Sequence, residues 1–249
     1  TLKRCEKNSR LHDALKTWLG QDIPWAHLGH LTTCLWMVIA VIQTGEVNLT
    51  KWLPHLPCRG CFAQSKQRRV RRWLGNSRIN VHRLYKPIIT AALADWRDEV
   101  MYLSLDTSLF WEEFCLVRLA VVHRGRALPV GWRVLAHGSA SIKPGVYREL
   151  LQDAASLLPR GVKVVLLADR GFVHTETMTL VRSFGWHYRI RVKNDVWLWR
   201  SSKGWSQPKD FRLQPGQVLC WHHVKLHKGQ EYGPVHIIFG RNALNGESW

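Results

Sequence analysis

The chain has 249 residues, of which 46% are hydrophobic, so it is long enough to bury a core and too apolar to be a disordered chain. It carries 36 lysines and arginines against 18 aspartates and glutamates, which gives a formal net charge of +18. This balance says little about the fold, but it favours a polyanionic partner. Nucleic acid is the commonest such partner, and an anionic membrane surface is the alternative.

Six cysteines are scattered along the chain and no signal peptide is recognisable, which favours reduced thiols of a cytoplasmic protein over disulfides. The segment HLPCRGC contains the zinc-ligand types His55, Cys58 and Cys61, but no second pair completes a four-ligand set, so zinc is the less favoured interpretation. The apolar run LWMVIAVI (35–42) is too short to span a bilayer and predicts a buried helix. We therefore expect no membrane contact.

Residues 1–98 have apolar side chains at spacings of three and four, which predicts a helical region. Its most basic segment is SKQRRVRRWL (65–74). On a helix Val70, Trp73 and Leu74 share one face, which we expect to pack on the protein. The opposite face, extended by the next basic residues, predicts contacts with phosphates through Ser65, Arg68, Arg69, Arg72, Arg83 and Lys86. The alternative is a solvated helix face with no partner.

Residues 99–193 have a different pattern. YLSLD, FCLVRLAVV and RALPVGWRVL predict three successive strands, with His123-Arg124-Gly125 as a tight turn between the last two. A helix over 144–158, the strand VKVVLLAD, a helix over about 174–184 and the strand WHYRIRVK follow. The order is β-β-β-α-β-α-β, an α/β fold with a mixed sheet. Short alternating runs over 194–249 predict further β structure.

Two carboxylates follow apolar strands: Asp106 closes the first strand in MYLSLDTS, and Asp169 closes the fourth in LLADRGF. If these strands are neighbours, both carboxylates emerge side by side, which costs energy unless a cation compensates. Oxygen ligands favour Mg²⁺ or Mn²⁺, and two such ions about 3.5–4 Å apart support phosphodiester chemistry. The alternative is that each aspartate caps a turn, Asp106 with Thr107 and Ser108, and Asp169 with Gly171.

These residues resemble a known family. DTS (106–108), HRGRALPVGW (123–132) and LLADRGF (166–172) resemble the DDE transposases of bacterial insertion sequences, in particular the IS4-like group. The upstream segment 65–89 resembles the helical DNA-binding segment of that group. The resemblance covers about residues 60–193, and its specificity rests on the ordered set of motifs rather than on DRGF alone.

The resemblance implies a ribonuclease H-like catalytic core over 99–193, preceded by a helical DNA-binding region over 1–98 and followed by a β-rich insertion over 194–249. It implies that Asp106 and Asp169 bind two Mg²⁺ or Mn²⁺ ions together with a later glutamate on a helix beyond the insertion. No such helix is recognisable, and Glu231 and Glu247 lie in turn-like segments. The third acidic ligand is therefore unknown, and we expect the chain to be C-terminally truncated.

The implied activity is metal-dependent cleavage at transposon ends, followed by attack of the freed 3′-hydroxyl on the opposite strand or on target DNA. The implied partners are double-stranded DNA, as terminal inverted repeats and target, and a second copy of the chain on that DNA. The implied location is the bacterial cytoplasm, at the nucleoid. Arg170 is expected to contact a phosphate near the metals, or alternatively to pair with a carboxylate.

Two other functions stay open from the sequence. One is a catalytically inactive DNA-binding remnant or regulator, and the other is a ribonuclease H-like nuclease outside transposition. His123 and His174 lie near the motifs but are expected to be structural, and Gly171 is expected to permit the close turn after Asp169. Most of the 14 tryptophans are expected in the core, while some of those within 194–221 have the chemistry to stack on unpaired bases.

Overall fold

The computed structural model describes residues 9–56 and 62–247. The chain divides into two compact units, Thr1–Trp96 and Arg97–Trp249. Cys58 and Cys61 of the HLPCRGC segment lie outside the described residues, so the zinc interpretation stays a prediction.

The first unit is helical throughout its described part, apart from short connections, as the spacing of its apolar residues predicts. Its helices are α1 (Ser9–Gly20), α2 (Leu28–Thr44), α3 (Leu49–Trp52), α4 (Ala63–Leu74) and α5 (Val81–Ala94), with a 3₁₀ turn at Leu53–His55. Side chains of Asn48 and Asn80 cap α3 and α5 by accepting hydrogen bonds from backbone amides of the first turn.

The apolar run 35–42 lies in α2, where Leu35, Met37, Ile39 and Ala40 are buried. It forms a core with Trp52, Leu56 and Val70, which confirms the predicted buried helix. No single helix in the described ranges is long and apolar enough to cross a membrane. Taken together, α2 and the segment Leu49–His55 have the length and composition of a membrane span, but the chain bends by 101° between them.

The second unit contains two sheets. Its elements are β1 (Val100–Phe110), β2 (Phe114–His123), β3 (Arg126–Ala136), α6 (Pro144–Ala155), β4 (Lys163–Ala168), α7 (Thr175–Ser183), β5 (His187–Ile190), β6 (Leu198–Arg200), β7 (Gly204–Ser206), β8 (Val218–Leu226) and β9 (Tyr232–Gly240). The predicted order β-β-β-α-β-α-β is confirmed, and so is the β structure after it.

The first sheet is mixed and has the strand order β3-β2-β1-β4-β5. β1, β2 and β3 form an antiparallel meander, while β4 and β5 add in parallel to β1. The β2–β3 turn uses Arg124 and Gly125, both at positive φ (48° and 73°), the geometry of a two-residue hairpin. The predicted tight turn is therefore confirmed.

Alternation along β1 separates the two faces of this sheet. Met101, Leu103 and Leu105 are buried, whereas Ser104 is only partly buried and Asp106 is exposed. α6 packs on β2 and β3. α6 covers the buried face of this sheet. Leu105 is in register with Leu119 of β2, and Leu119 is in register with Gly131 of β3. A Cβ at Gly131 would meet the Leu150 side chain of α6, so these positions face the helix. The carboxylate of Asp106 consequently lies on the opposite face.

The second sheet is antiparallel with the order β7-β6-β8-β9. Its inner residues Leu198, Val224 and Leu226 are almost fully buried, and they share a core with Met178 of α7 and with Ile190 of β5. Burial of this apolar surface attaches the second sheet to the end of the first one.

Two tyrosine hydroxyls within this core pair with each other. The Tyr188 hydroxyl donates to the Tyr232 hydroxyl at 3.2 Å, and burial raises the pKa of Tyr188, so it remains a donor over the physiological pH range. Burial lowers the pKa of His227, and the nearby His174 lowers it further.

The turn after β3 requires a glycine at position 138. A Cβ at Gly138 would lie 2.4 Å from the backbone oxygen of Glu112, in the β1–β2 connection. By contrast, a Cβ at Gly171 would meet nothing within 4 Å. We expect Gly138→Ala to lower the free energy of unfolding by about 1–3 kcal/mol, because backbone must move. Gly171→Ala, the matched control, is expected to change it by less than about 0.5 kcal/mol. Urea unfolding of both variants measures the difference, and equal effects would contradict the close approach at Gly138.

Candidate acidic cleft and basic helix

The parallel pairing of β1 with β4 brings the two aspartates together. The last paired residues are Leu105 and Ala168, and the next residues along the two strands are Asp106 and Asp169. The backbone of Asp169 is extended (φ −80°, ψ 172°), so the register continues by one residue. Both residues therefore lie where this ladder ends, on the face opposite α6, and both are exposed.

One part of the prediction is wrong. Asp106 does not close its strand, because β1 continues to Phe110 and Asp106 pairs with Arg118 of β2. What ends at Asp106 is the contact of β1 with β4. Asp169, in contrast, directly follows β4 as predicted, and a 3₁₀ turn begins at Arg170.

The capping alternative fits these aspartates poorly. The side chain of Asp169 makes no capping hydrogen bond to the following turn, and only its carbonyl oxygen accepts from the Phe172 amide at 3.0 Å. Asp106 Oδ1 accepts from the Thr107 amide at 2.8 Å, a bond within the strand. Among the described residues neither carboxylate forms an ion pair. Their remaining oxygens are free to bind a cation.

Both carboxylates line a cleft of about 1240 Å³ within the second unit. One wall is apolar and belongs to the core shared with the second sheet, including Val173, Leu213 and Ile237. The other wall is the open face of the first sheet. The cleft therefore combines two acids with room for a large substrate.

Arginines surround the acids in this cleft. Arg170 follows Asp169, and Arg189 pairs in register with Leu167, on the same face as the carboxylates. The Arg191 amide donates to the Ala168 carbonyl at 3.1 Å, which places Arg191 beside Asp169. All three are exposed, and none forms an ion pair with any residue the structure describes. The alternative that Arg170 pairs with a carboxylate is thus not supported.

Arg189 and Arg191 were missed by the sequence prediction. Their signal is the alternation in HYRIRVK, which predicts both arginines on one face, Arg189 within β5 and Arg191 directly after it. That signal identifies a site only once the register with β4 is known.

Glu231 and Glu247, the two glutamates near the end of the chain, have different surroundings. Glu247 lines the same cleft as the two aspartates, whereas Glu231 pairs with Lys225 at 2.8 Å. Within residues 9–56 and 62–247, no group of three or more His, Cys, Asp or Glu is arranged to hold a metal ion. Glu247 therefore does not complete a three-ligand set with Asp106 and Asp169.

Gly171, His174 and His123, which the sequence places near the two aspartates, have surroundings typical of structural residues. Gly171 does not have a positive φ and has space for a Cβ, so the prediction that this turn needs a glycine is wrong. His174 donates through Nε2 to the Gly171 carbonyl at 3.1 Å and stacks on Tyr147, which braces the turn after Asp169. His123 lies 3.9 Å from the Asp98 carboxylate. Both contacts agree with structural roles.

In the first unit, α4 has a packed face and a basic face. Val70 is buried and Trp73 donates to the His30 carbonyl at 2.8 Å, but Leu74 is 63% exposed, so its predicted packing is wrong. Arg69, predicted on the basic face, is exposed but donates through Nε to Thr33 Oγ1 at 3.1 Å. It is therefore partly committed to holding α4 on α2.

Arg68 and Arg72 are the exposed centre of the basic face. They line a groove of about 490 Å³ that also includes Ser65 and Asn76, and a second groove of about 560 Å³ shared with Arg71. Arg71 was not among the predicted residues. Arg83 and Lys86 are exposed on α5, where they line neither groove.

The paired carboxylates predict a response to divalent cations. We expect Mn²⁺ at millimolar concentration to raise the melting temperature of the protein, because binding to the folded state stabilises it. Asp106→Asn and Asp169→Asn are expected to abolish this rise. Asp153→Asn is the matched control, since that exposed carboxylate lies on α6 and pairs with Arg133 of β3. A thermal shift titration measures the effect, and an unchanged Mn²⁺ response in either of the first two variants would contradict a shared site.

No family model matches the chain, and no curated protein matches it. Among solved structures, the chain is similar to the crystal structure of the Mos1 strand transfer complex, with 10% sequence identity over 78% of this chain and 69% of that chain. The TM-score is 0.27, which is too low for this likeness to establish a shared fold. The fold and the site of this chain therefore rest on its own geometry.

Proposed function

We propose that this chain is a DNA transposase of a bacterial insertion sequence, with a ribonuclease H-like core that cuts and joins DNA strands at transposon ends. The observation that carries the proposal is the juxtaposition of Asp106 and Asp169 by the parallel pairing of β1 and β4. The ordered motifs around these residues, which resemble the IS4-like group, support it. Such an enzyme works on the bacterial chromosome in the cytoplasm, and joining two DNA ends is expected to require a second copy of the chain.

The donor chemistry of the cleft fits Mg²⁺ or Mn²⁺. Asp106 and Asp169 offer exposed carboxylate oxygens, which suit hard cations better than soft ones. When bound, such ions activate a water or a 3′-hydroxyl and stabilise the leaving oxygen of a phosphodiester. The third acidic ligand stays unassigned.

The chain's own residues have three tasks in this mechanism. The two carboxylates hold the cations at one level of the sheet. Arg170, Arg189 and Arg191 neutralise phosphates on either side of the scissile bond and so position the strand. The apolar wall formed by the second sheet limits access of water to one side of the cleft.

DNA binding outside the cleft is assigned to the basic face of α4. Arg68 and Arg72 are exposed and line two grooves, which gives phosphates a place to lie along the helix. Ser65, Arg83 and Lys86 extend this surface, while Arg69 contributes less because Thr33 already accepts its Nε–H.

A second function is a DNA-binding protein without catalysis. It is favoured by one observation, that no third acidic ligand joins the two aspartates in the described part of the chain. This alternative keeps the basic helix and treats the two carboxylates as the remnant of a site.

The basic face predicts salt-dependent DNA binding. Each phosphate contact contributes about 0.9 to the slope of log K against log salt concentration. We therefore expect Arg68→Ala/Arg72→Ala to weaken binding and to reduce the slope by about 1.8, independently of DNA sequence. Lys16→Ala, an exposed lysine on α1, is the matched control and is expected to change neither quantity. Fluorescence anisotropy over a salt series measures both, and an unchanged slope in the double variant would refute the DNA-binding role of this face.

Cleavage tests the function itself. The substrate is labelled DNA from both flanks of the gene, with unrelated DNA of equal length as comparison, in the presence of Mn²⁺. We expect nicking near the ends of the flanks, lost in Asp106→Asn and Asp169→Asn and retained in Asp153→Asn, while DNA affinity stays unchanged. Binding without nicking would favour the non-catalytic alternative. Equal nicking of unrelated DNA would favour a nuclease outside transposition.

A further inference from the structure

A β-bulge in the second sheet gathers three histidines at one surface. The pairing of β8 with β9 is regular from Val218 to Trp221 and resumes at Val224, so His222 and His223 together lie opposite His236. His223 has a φ of 57°, which marks the irregular residue. Bulges re-aim side chains, and here the bulge turns His222 towards His236.

The geometry of the pair is close. His222 Nδ1 lies 2.9 Å from His236 Nδ1, and the two rings are nearly perpendicular at 70° with centroids 4.9 Å apart. On its other side, His222 Nε2 lies 3.6 Å from Cys220 Sγ. All three side chains are exposed, so the cluster contributes no core packing that would by itself explain it.

A separation of 2.9 Å between two ring nitrogens is that of a hydrogen bond, and it also allows both nitrogens to bind one ion at about 2.0–2.1 Å each when their lone pairs converge on it. Their lone pairs repel unless one nitrogen carries a proton or both bind a cation. If the far nitrogen of His222 donates its N–H to the Cys220 sulfur, Nδ1 carries a lone pair that points at His236. This arrangement resembles the outer hydrogen bond that orients a metal-binding imidazole.

We propose that His222 and His236 form a two-imidazole site for a late first-row transition metal ion, of the class Ni²⁺, Cu²⁺ or Zn²⁺. Imidazole nitrogens select these ions over Mg²⁺, which prefers oxygen. Water completes the coordination. Cys220 is a positioning residue, since its sulfur contacts the far nitrogen of His222 and does not share the same coordination point.

This site differs from the acidic cleft in its donors, and it goes beyond the proposed function. His236 alternates with the buried Val235 and Ile237, so its ring lies on the face of the second sheet that is turned away from the apolar wall of the cleft.

Ni²⁺ binding to the full chain, measured by isothermal titration calorimetry, tests the proposal. The chain carries Cys58→Ser and Cys61→Ser so that the HLPCRGC segment does not compete. We expect one Ni²⁺ site that is lost in His222→Gln and in His236→Gln and retained in His187→Gln, an exposed histidine on β5. Cys220→Ser is expected to weaken binding by about tenfold, the effect of removing an orienting partner.

Further measurements separate the possible outcomes. Unchanged urea midpoints of the glutamine variants would show that loss of binding is not loss of folding. Asp106→Asn/Asp169→Asn is expected to leave Ni²⁺ binding intact, so the two proposals fail or succeed independently. Ni²⁺ affinity equal to that of the parent in His222→Gln or His236→Gln would overturn the proposal and leave the pair as a hydrogen bond between imidazoles.

Discussion

The parallel ladder between β1 and β4 is the constraint on which the site depends. It joins a strand of the antiparallel meander to a strand that arrives through α6, and it stops where the two aspartates follow. A shift of one residue would turn one carboxylate to the α6 face and separate the pair. The apolar residues beneath, Leu103, Leu105 and Leu166, are almost fully buried, so packing fixes the register that the acids need.

The charged side chains in the cleft are distributed unevenly. Two like charges at the end of a ladder are unfavourable by themselves, and here neither is neutralised by a described basic side chain. Arg189 of β5 and Arg191 just after it lie nearby and form no ion pair with the described residues, although Arg189 lies over the Tyr102 ring at 5.9 Å. Both guanidinium groups are therefore able to bind an anion. The cleft thus separates its charges into an acidic centre, suited to cations, and a basic margin, suited to an anionic ligand.

The sequence predicts the order of elements well, because apolar runs, turn residues and helical spacing are local signals. Asp169 is correctly placed after its strand for the same reason. One failure depends on pairing: Asp106 lies within a longer strand, because β1 continues to pair with β2 beyond it. Two others do not: Leu74 is exposed although it shares a helical arc with Val70, and Gly171 has an ordinary backbone conformation. Arg189, Arg191 and the His222–His236 pair become visible only through strand register, which no local pattern specifies.

The continuation of β1 past Asp106 makes the two carboxylates mechanically unequal. Asp106 is held on a backbone that hydrogen-bonds to β2 on both sides of it, through to Phe110. Asp169 stands at the last extended residue before a 3₁₀ turn, where the ladder has ended. The backbone of Asp106 is therefore restrained by strand pairing on both sides, whereas the backbone of Asp169 is restrained on one side only. Any change in the distance between them, as a substrate enters and leaves, falls on the segment from Asp169 to Phe172.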